Sequence, residues 1–147
     1  MTIYTDGACS GNPGRGGFGV VVVDEYGTEL ERHSEFSEQT TNNREELKAI
    51  LWAFMKYGVT SDEWEQAPIV YSDSAYAVNT LTNWMFNWYH HNWVKANKQT
   101  PENLDLIKPY FERWMQGYRI DLRKIKGHNG NEWNELADSL ATGKVST

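Results

Sequence analysis

The residues with the clearest capacity for chemistry are carboxylates that recur in one setting. Asp6 closes the run Thr2-Ile3-Tyr4-Thr5-Asp6-Gly7, and Asp73 closes Ile69-Val70-Tyr71-Ser72-Asp73-Ser74. Each run places apolar and β-branched residues before Tyr, a small hydroxyl residue, Asp and a breaker. Side chains alternate along a strand, so each Asp shares a face with the Tyr two residues earlier. Laid side by side and parallel, the strands bring both carboxylates to one carboxyl edge, where open α/β sheets build their sites. Adjacent buried anions repel strongly, and a divalent cation is the simplest compensation.

Two further acids sit at helix borders. Glu46 lies three and four residues before Ala49 and Ile50, beside an apolar stripe near a helix start, and leans toward the sheet edge; Glu45 points roughly the opposite way. Asp138 borders the stripe of the last helix through Ala141, while Glu132 and Glu135 face away. Each acid also has an ordinary reading: Glu46 as a cap, Asp138 as solvated, Asp6 and Asp73 as turn formers. Together the four form an oxygen-rich set suited to Mg²⁺ or Mn²⁺, with no Cys/His cluster competing for zinc. Two such ions, about 4 Å apart, activate water and stabilise the leaving oxygen in phosphodiester hydrolysis. His128, between glycines just before the Asp138 helix, is either an ordinary surface residue or a group for proton or product handling.

These residues need elements to carry them. Cys9 to Gly17 reads as a loop, Phe18 to Asp24 as a strand, Asp24 to Gly27 as a turn, and Glu29 to Phe36 as the hairpin partner. Thr40 to Asn43 supply N-cap candidates for a helix with the stripe Leu47, Ile50, Leu51 and Phe54, ending at Gly58. Residues 59–67 read as an acidic loop, Ser74 to about Trp88 as helix in two pieces, and Asn92 to Thr100 as irregular. Pro101 suits the first position of a helix marked by Leu104, Ile107, Tyr110, Phe111 and Trp114 and ending at Gly117. Tyr118 to Ile125 reads as a strand, Lys126 to Asn131 as a loop, and Glu132 to Thr142 as the last helix. The order implies an α/β fold, a mixed sheet with helices on both faces.

With 147 residues, one domain with one core is expected over 1–147. A net charge of −6 supplies no global field for a polyanion, so a nucleic-acid partner would need a local patch or bound metal. The single cysteine, Cys9, excludes an internal disulfide and fits a reducing compartment. Residues 1–10 lack the pattern of a secretion signal, and no apolar stretch is long enough to span a bilayer. A cytoplasmic monomer is expected.

Tyr4-Thr5-Asp6-Gly7 with Gly11-Asn12-Pro13-Gly14, Thr40-Thr41-Asn42-Asn43-Arg44-Glu45-Glu46-Leu47, Ser72-Asp73-Ser74, and Lys126-Gly127-His128 followed by Asn134-Glu135-Leu136-Ala137-Asp138 together resemble bacterial type 1 ribonuclease H. The match runs in order over almost the whole chain. The resemblance implies a ribonuclease H-like fold, with a five-stranded mixed sheet whose second strand is antiparallel. It implies cleavage of the RNA strand of an RNA/DNA hybrid by two Mg²⁺ ions, leaving a 3′-hydroxyl and a 5′-phosphate. Asp6 would bridge both ions, Asp138 would complete one site, and Glu46 with Asp73 the other. His128 would assist leaving-group or product release.

The resemblance also implies how a hybrid is read. Cys9, Asn12, Asn42 and Asn43 would face the minor groove, where amides match 2′-hydroxyls and base edges. Thr41 and Asn87 would form a phosphate pocket. The stretch Trp84 to Lys98, with Trp84, Trp88, Lys95 and Lys98, resembles the family's basic protrusion, although Trp84 and Trp88 also have the spacing of a core anchor. Here His90 and His91 stand where the family often has Lys or Arg, Gln39 where an Arg often supports the phosphate pocket, and Ala75 where a Gln can contact substrate. These departures imply weaker binding, not altered chemistry. The alternatives are a catalytically silent hybrid-binding module, or another nuclease or strand-transferase on the same scaffold.

Overall fold

The computed structural model describes residues 1–127 and 130–147. Strand β1, Thr2–Ser10, pairs antiparallel with β2, Gly14–Val23, which pairs antiparallel with β3, Glu29–Thr40. Helix α1, Asn42–Tyr57, follows. A short strand β4, Val59–Thr60, and a 3₁₀ turn, Ser61–Gln66, lead to β5, Ile69–Ser72. Helix α2, Ala75–Asn79, runs through a π turn, Thr80–Trp84, into α3, Met85–His90. Helix α4 is Leu104–Met115; β6, Tyr118–Arg119, and β7, Asp121–Lys124, precede helix α5, Glu132–Ala141.

The main sheet has the order β3-β2-β1-β5-β7, with β5 parallel to both β1 and β7. The expected mixed five-stranded sheet with an antiparallel second strand is what forms. Strand β2 is buried continuously from Phe18 to Val23, the pattern of a strand covered on both faces. Val20 and Val22 join the core with Leu47, Ile50 and Phe54 of α1, whereas Val21 and Val23 pack with Ala137 and Leu140 of α5.

Several boundaries differ from the sequence reading. Cys9 to Gly17 is not a loop: β1 continues four residues past Asp6, and only Gly11, Asn12 and Pro13 separate it from β2. The glycines there leave room for neighbours. A side chain on Gly16 would strike the Ala8 carbonyl of β1, and one on Gly17 would strike the Phe36 ring and the Ala141 carbonyl of α5. The expected last strand is two strands. β6 pairs with β4 in a separate small sheet, and β7 pairs with β5. The 59–67 segment is likewise β4 and a 3₁₀ turn rather than plain loop. Pro101 does not open α4. Asn103 takes a left-handed φ of 65° before Leu104, and its side chain bridges Tyr76 and Arg44.

Candidate active site

Register alone brings the first two acids together. Tyr4 pairs with Tyr71 across the parallel β1/β5 ladder, and their rings stack at 5.4 Å. Two residues further along each strand direction stand Asp6 and Asp73, as the matched runs predict. Strand β5 ends at Ser72, so Asp73 lies just past the sheet edge and is half-buried, while Asp6 is buried within β1.

Helix α1 supplies the third carboxylate. Thr41 caps it, accepting from the Arg44 N–H at 3.2 Å, which places Glu46 one turn in. Gly7 makes the close approach of α1 to β1 feasible, since any side chain there would collide with the Glu46 backbone nitrogen. Asp6, Glu46 and Asp73 each present an oxygen within 4.8 Å of the other two. The Ser72 hydroxyl donates to Glu46 Oε2 at 3.4 Å, and the Gly7 N–H donates to Asp6 Oδ1 at 3.0 Å. Asp138, half-buried on α5, is not one of that trio but lies near enough to Asp6 to disfavour its ionised form.

The electrostatics are those of crowded anions. Burial first, then the neighbouring Asp73 charge, pushes the Asp6 carboxyl up to about 8. Burial also drives Glu46 well above the usual carboxylate range, reinforced by Asp6 and Asp73. A cluster of this kind favours either protons or a bound hard cation, and its all-oxygen donor set matches the second.

The remaining candidates fall into two regions. Asn12 is exposed, and its Oδ1 accepts from the Asn42 N–H at 3.0 Å, so its NH₂ remains to donate outward. Asn43 is exposed beside it. Cys9 Sγ, half-buried, donates to Gly11 O at 2.7 Å and Thr40 O at 3.3 Å. Further away, Trp84 is exposed, while Trp88 packs partly against the core, with ring centroids 6.4 Å apart. Asn87, His90, His91 and Lys95 line a cavity of about 490 Å³; Lys98 is exposed beyond it at φ 67°. His128 lies outside the described residues. Gly127, immediately before it, sits against Asp73: a Cβ there would be 2.8 Å from Asp73 Oδ2.

The sequence reading missed Ser72 and Gly7 as supports of the acids. Their signal was adjacency, a hydroxyl just before one Asp and a glycine just after the other. It also missed the fate of Glu45, which turns away from Glu46 but is fully buried.

The relatives can be set beside this geometry. Residues 1–146 match the family model described as RNase H. A curated ribonuclease H from Thermoanaerobacter sp. (strain X514) is 42% identical over 146 residues, covering 99% of this chain and 89% of that one. Another, from Chlorobium phaeobacteroides (strain BS1), is 42% identical over 143 residues, covering 97% and 92%. Among solved structures, LC11-RNase H1 in complex with RNA/DNA hybrid superposes with a TM-score of 0.68 at 25% identity, covering 97% of this chain and 94% of that one. LC9-RNase H1, described as a type 1 RNase H with the type 2 active-site motif, gives 0.75 at 27%, covering 97% and 70%. With a family match of this extent laid over four converging acids, the chain belongs to the ribonuclease H family.

Proposed function

We propose that the protein is an Mg²⁺-dependent endonuclease that hydrolyses the RNA strand of RNA/DNA hybrids, with residues 1–147 acting as one catalytic domain. The observation that carries this reading is the placement of Asp6 at one sheet edge, in a trio with Glu46 and Asp73 and within electrostatic reach of Asp138. The trio would hold one ion, and Asp6 with Asp138 the second; the same oxygen donors suit Mn²⁺ as a substitute. When bound, such cations supply an activated water and stabilise the departing oxygen, leaving 3′-hydroxyl and 5′-phosphate ends.

The chain's own groups do the rest. The Ser72 hydroxyl and the Gly7 N–H hold Glu46 and Asp6 in fixed orientations. Asn12, Asn42 and Asn43, with Cys9, form an exposed to half-buried polar shelf suited to 2′-hydroxyls in a minor groove. Thr41 and Asn87 are the candidates for a DNA-strand phosphate, and Trp84, Trp88, Lys95 and Lys98 for packing against the backbone. His128 is assigned product or leaving-group handling. No helix among the described residues is long and apolar enough to cross a membrane. The reading places the enzyme in the cytoplasm as a monomer.

The test is incubation with end-labelled hybrid, double-stranded RNA and double-stranded DNA, with and without Mg²⁺. Hybrid-only, Mg²⁺-dependent cleavage that disappears in Asp6→Asn supports the proposal. Binding without cleavage would make the protein a hybrid-binding module, and cleavage of double-stranded DNA would make it a different nuclease.

A further inference from the structure

Glu45 is fully buried, yet it is not part of the acidic cluster. Its Oε2 accepts from the Thr40 hydroxyl at 2.7 Å and pairs with Lys48 Nζ at 2.8 Å. Lys48 Nζ also donates to Ser37 Oγ at 3.0 Å. Glu45 Oε1 is buried without a partner among the described residues. Burying a carboxylate with one oxygen unsatisfied is costly, and an apolar residue of similar volume is commonly as stable or more so. Stability therefore gives no reason for this network. Definition of local geometry does.

The network sits where three segments meet. Thr40 ends β3 opposite Gly14 of β2, and its carbonyl accepts from Cys9 Sγ of β1. The next residue, Thr41, caps α1. The one after it, Asn42, gives its N–H to Asn12 in the loop between β1 and β2. One carboxylate thus ties the end of β3 to the first turn of α1, at the junction carrying Cys9, Asn12, Asn42 and Asn43. We propose that Glu45 is a positioning residue for substrate, holding these groups at the spacing a hybrid minor groove requires. The inference rests on the hybrid-cleaving function proposed above.

The experiment compares wild type, E45Q, E45L and K48M in kcat and KM on labelled hybrid, with Mg²⁺ affinity measured by calorimetry without substrate. E45Q keeps an acceptor for Thr40 but loses the charge facing Lys48; E45L loses both. The expected result is a KM raised about threefold in E45Q and K48M and about tenfold in E45L, the scale of one or two lost hydrogen bonds, with kcat and Mg²⁺ affinity within about twofold. Unchanged KM in folded variants, well below their melting temperatures, overturns the inference and leaves Glu45 a merely structural group. A loss confined to kcat or to Mg²⁺ affinity also overturns it, by assigning Glu45 to its neighbour Glu46. If E45L does not fold, E45Q and K48M decide the question. Wild-type protein inert toward hybrid would overturn the functional reading and this inference together, whereas active wild type with indifferent variants overturns the inference alone.

Discussion

At Asp6, folding and charge are in direct conflict. The group ionises near 3.8 when unperturbed, but in the fold burial and Asp73 hold it protonated up to about 8. A carboxyl whose pKa is raised by folding contributes its stability fully below the lower value and loses it as pH climbs through the higher one. The metal-free protein should therefore weaken between about pH 4 and pH 8 on account of this group. Asp6→Asn mimics the protonated acid and should abolish cleavage. It should also raise metal-free stability at pH 8 by about 1–3 kcal/mol, less than the full shift implies because Asp6 titrates jointly with its neighbours. Thermal melts of both proteins from pH 4 to 9 measure the difference, and a gain that does not grow with pH contradicts the assignment. Mg²⁺ competes with protons for the same oxygens. Its stabilisation of wild type should thus be larger at pH 8 than at pH 5 and absent in Asp6→Asn.

Among the elements, the contact between β1 and α1 sets the distance from Asp6 to Glu46. Gly7→Ala introduces a methyl against the Glu46 backbone and must push the two apart. We expect kcat to fall about tenfold or more, because a misplacement near 1 Å costs that much at a site built on position. Circular dichroism should confirm an intact fold, and near-normal turnover by Gly7→Ala would refute this account of the junction. Helix α5 anchors Asp138 through Leu140, buried against Val21 and Val23. Leu140→Ala should cost about 2–5 kcal/mol in denaturant unfolding, as buried leucine truncations do. Removing the cap by Thr41→Ala should cost about 1 kcal/mol.

For the molecule as a whole, charge decides how strongly a polyanion is held. The net charge is −6, and the Trp84–Lys98 segment has only Lys95 and Lys98 as permanent cations. Hybrid affinity should fall only gently with salt, since each neutralised phosphate adds about 0.9 to the slope of log K against log salt. Replacing His90 and His91, both exposed near Lys95, with lysine should tighten binding and steepen that slope by about 2 if both reach phosphates. A double variant with an unchanged slope would remove this segment from the binding surface.

How much of this was legible in the chain differs by residue. The pairing of Asp6 with Asp73 was readable because strand periodicity and parallel register are local rules, and two matching Tyr-x-Asp runs obey both. The borders of α1 and α5 were readable because apolar residues repeat at helical spacing. The Cys9–Gly17 stretch was misread as a loop, since composition cannot tell a glycine that frees a turn from one that, like Gly17, admits a neighbouring strand and helix. The division of Tyr118–Lys124 into β6 and β7 depended on which partner strand each half met. Glu45 and Glu46 are adjacent and chemically identical, and both are buried. Helical spacing already sent Glu46 toward the sheet edge and Glu45 the other way; that Glu45 is nonetheless buried and locks Thr40 and Lys48 was decided only by tertiary packing, because burial gives a carboxylate its role through the groups that the rest of the chain brings within reach.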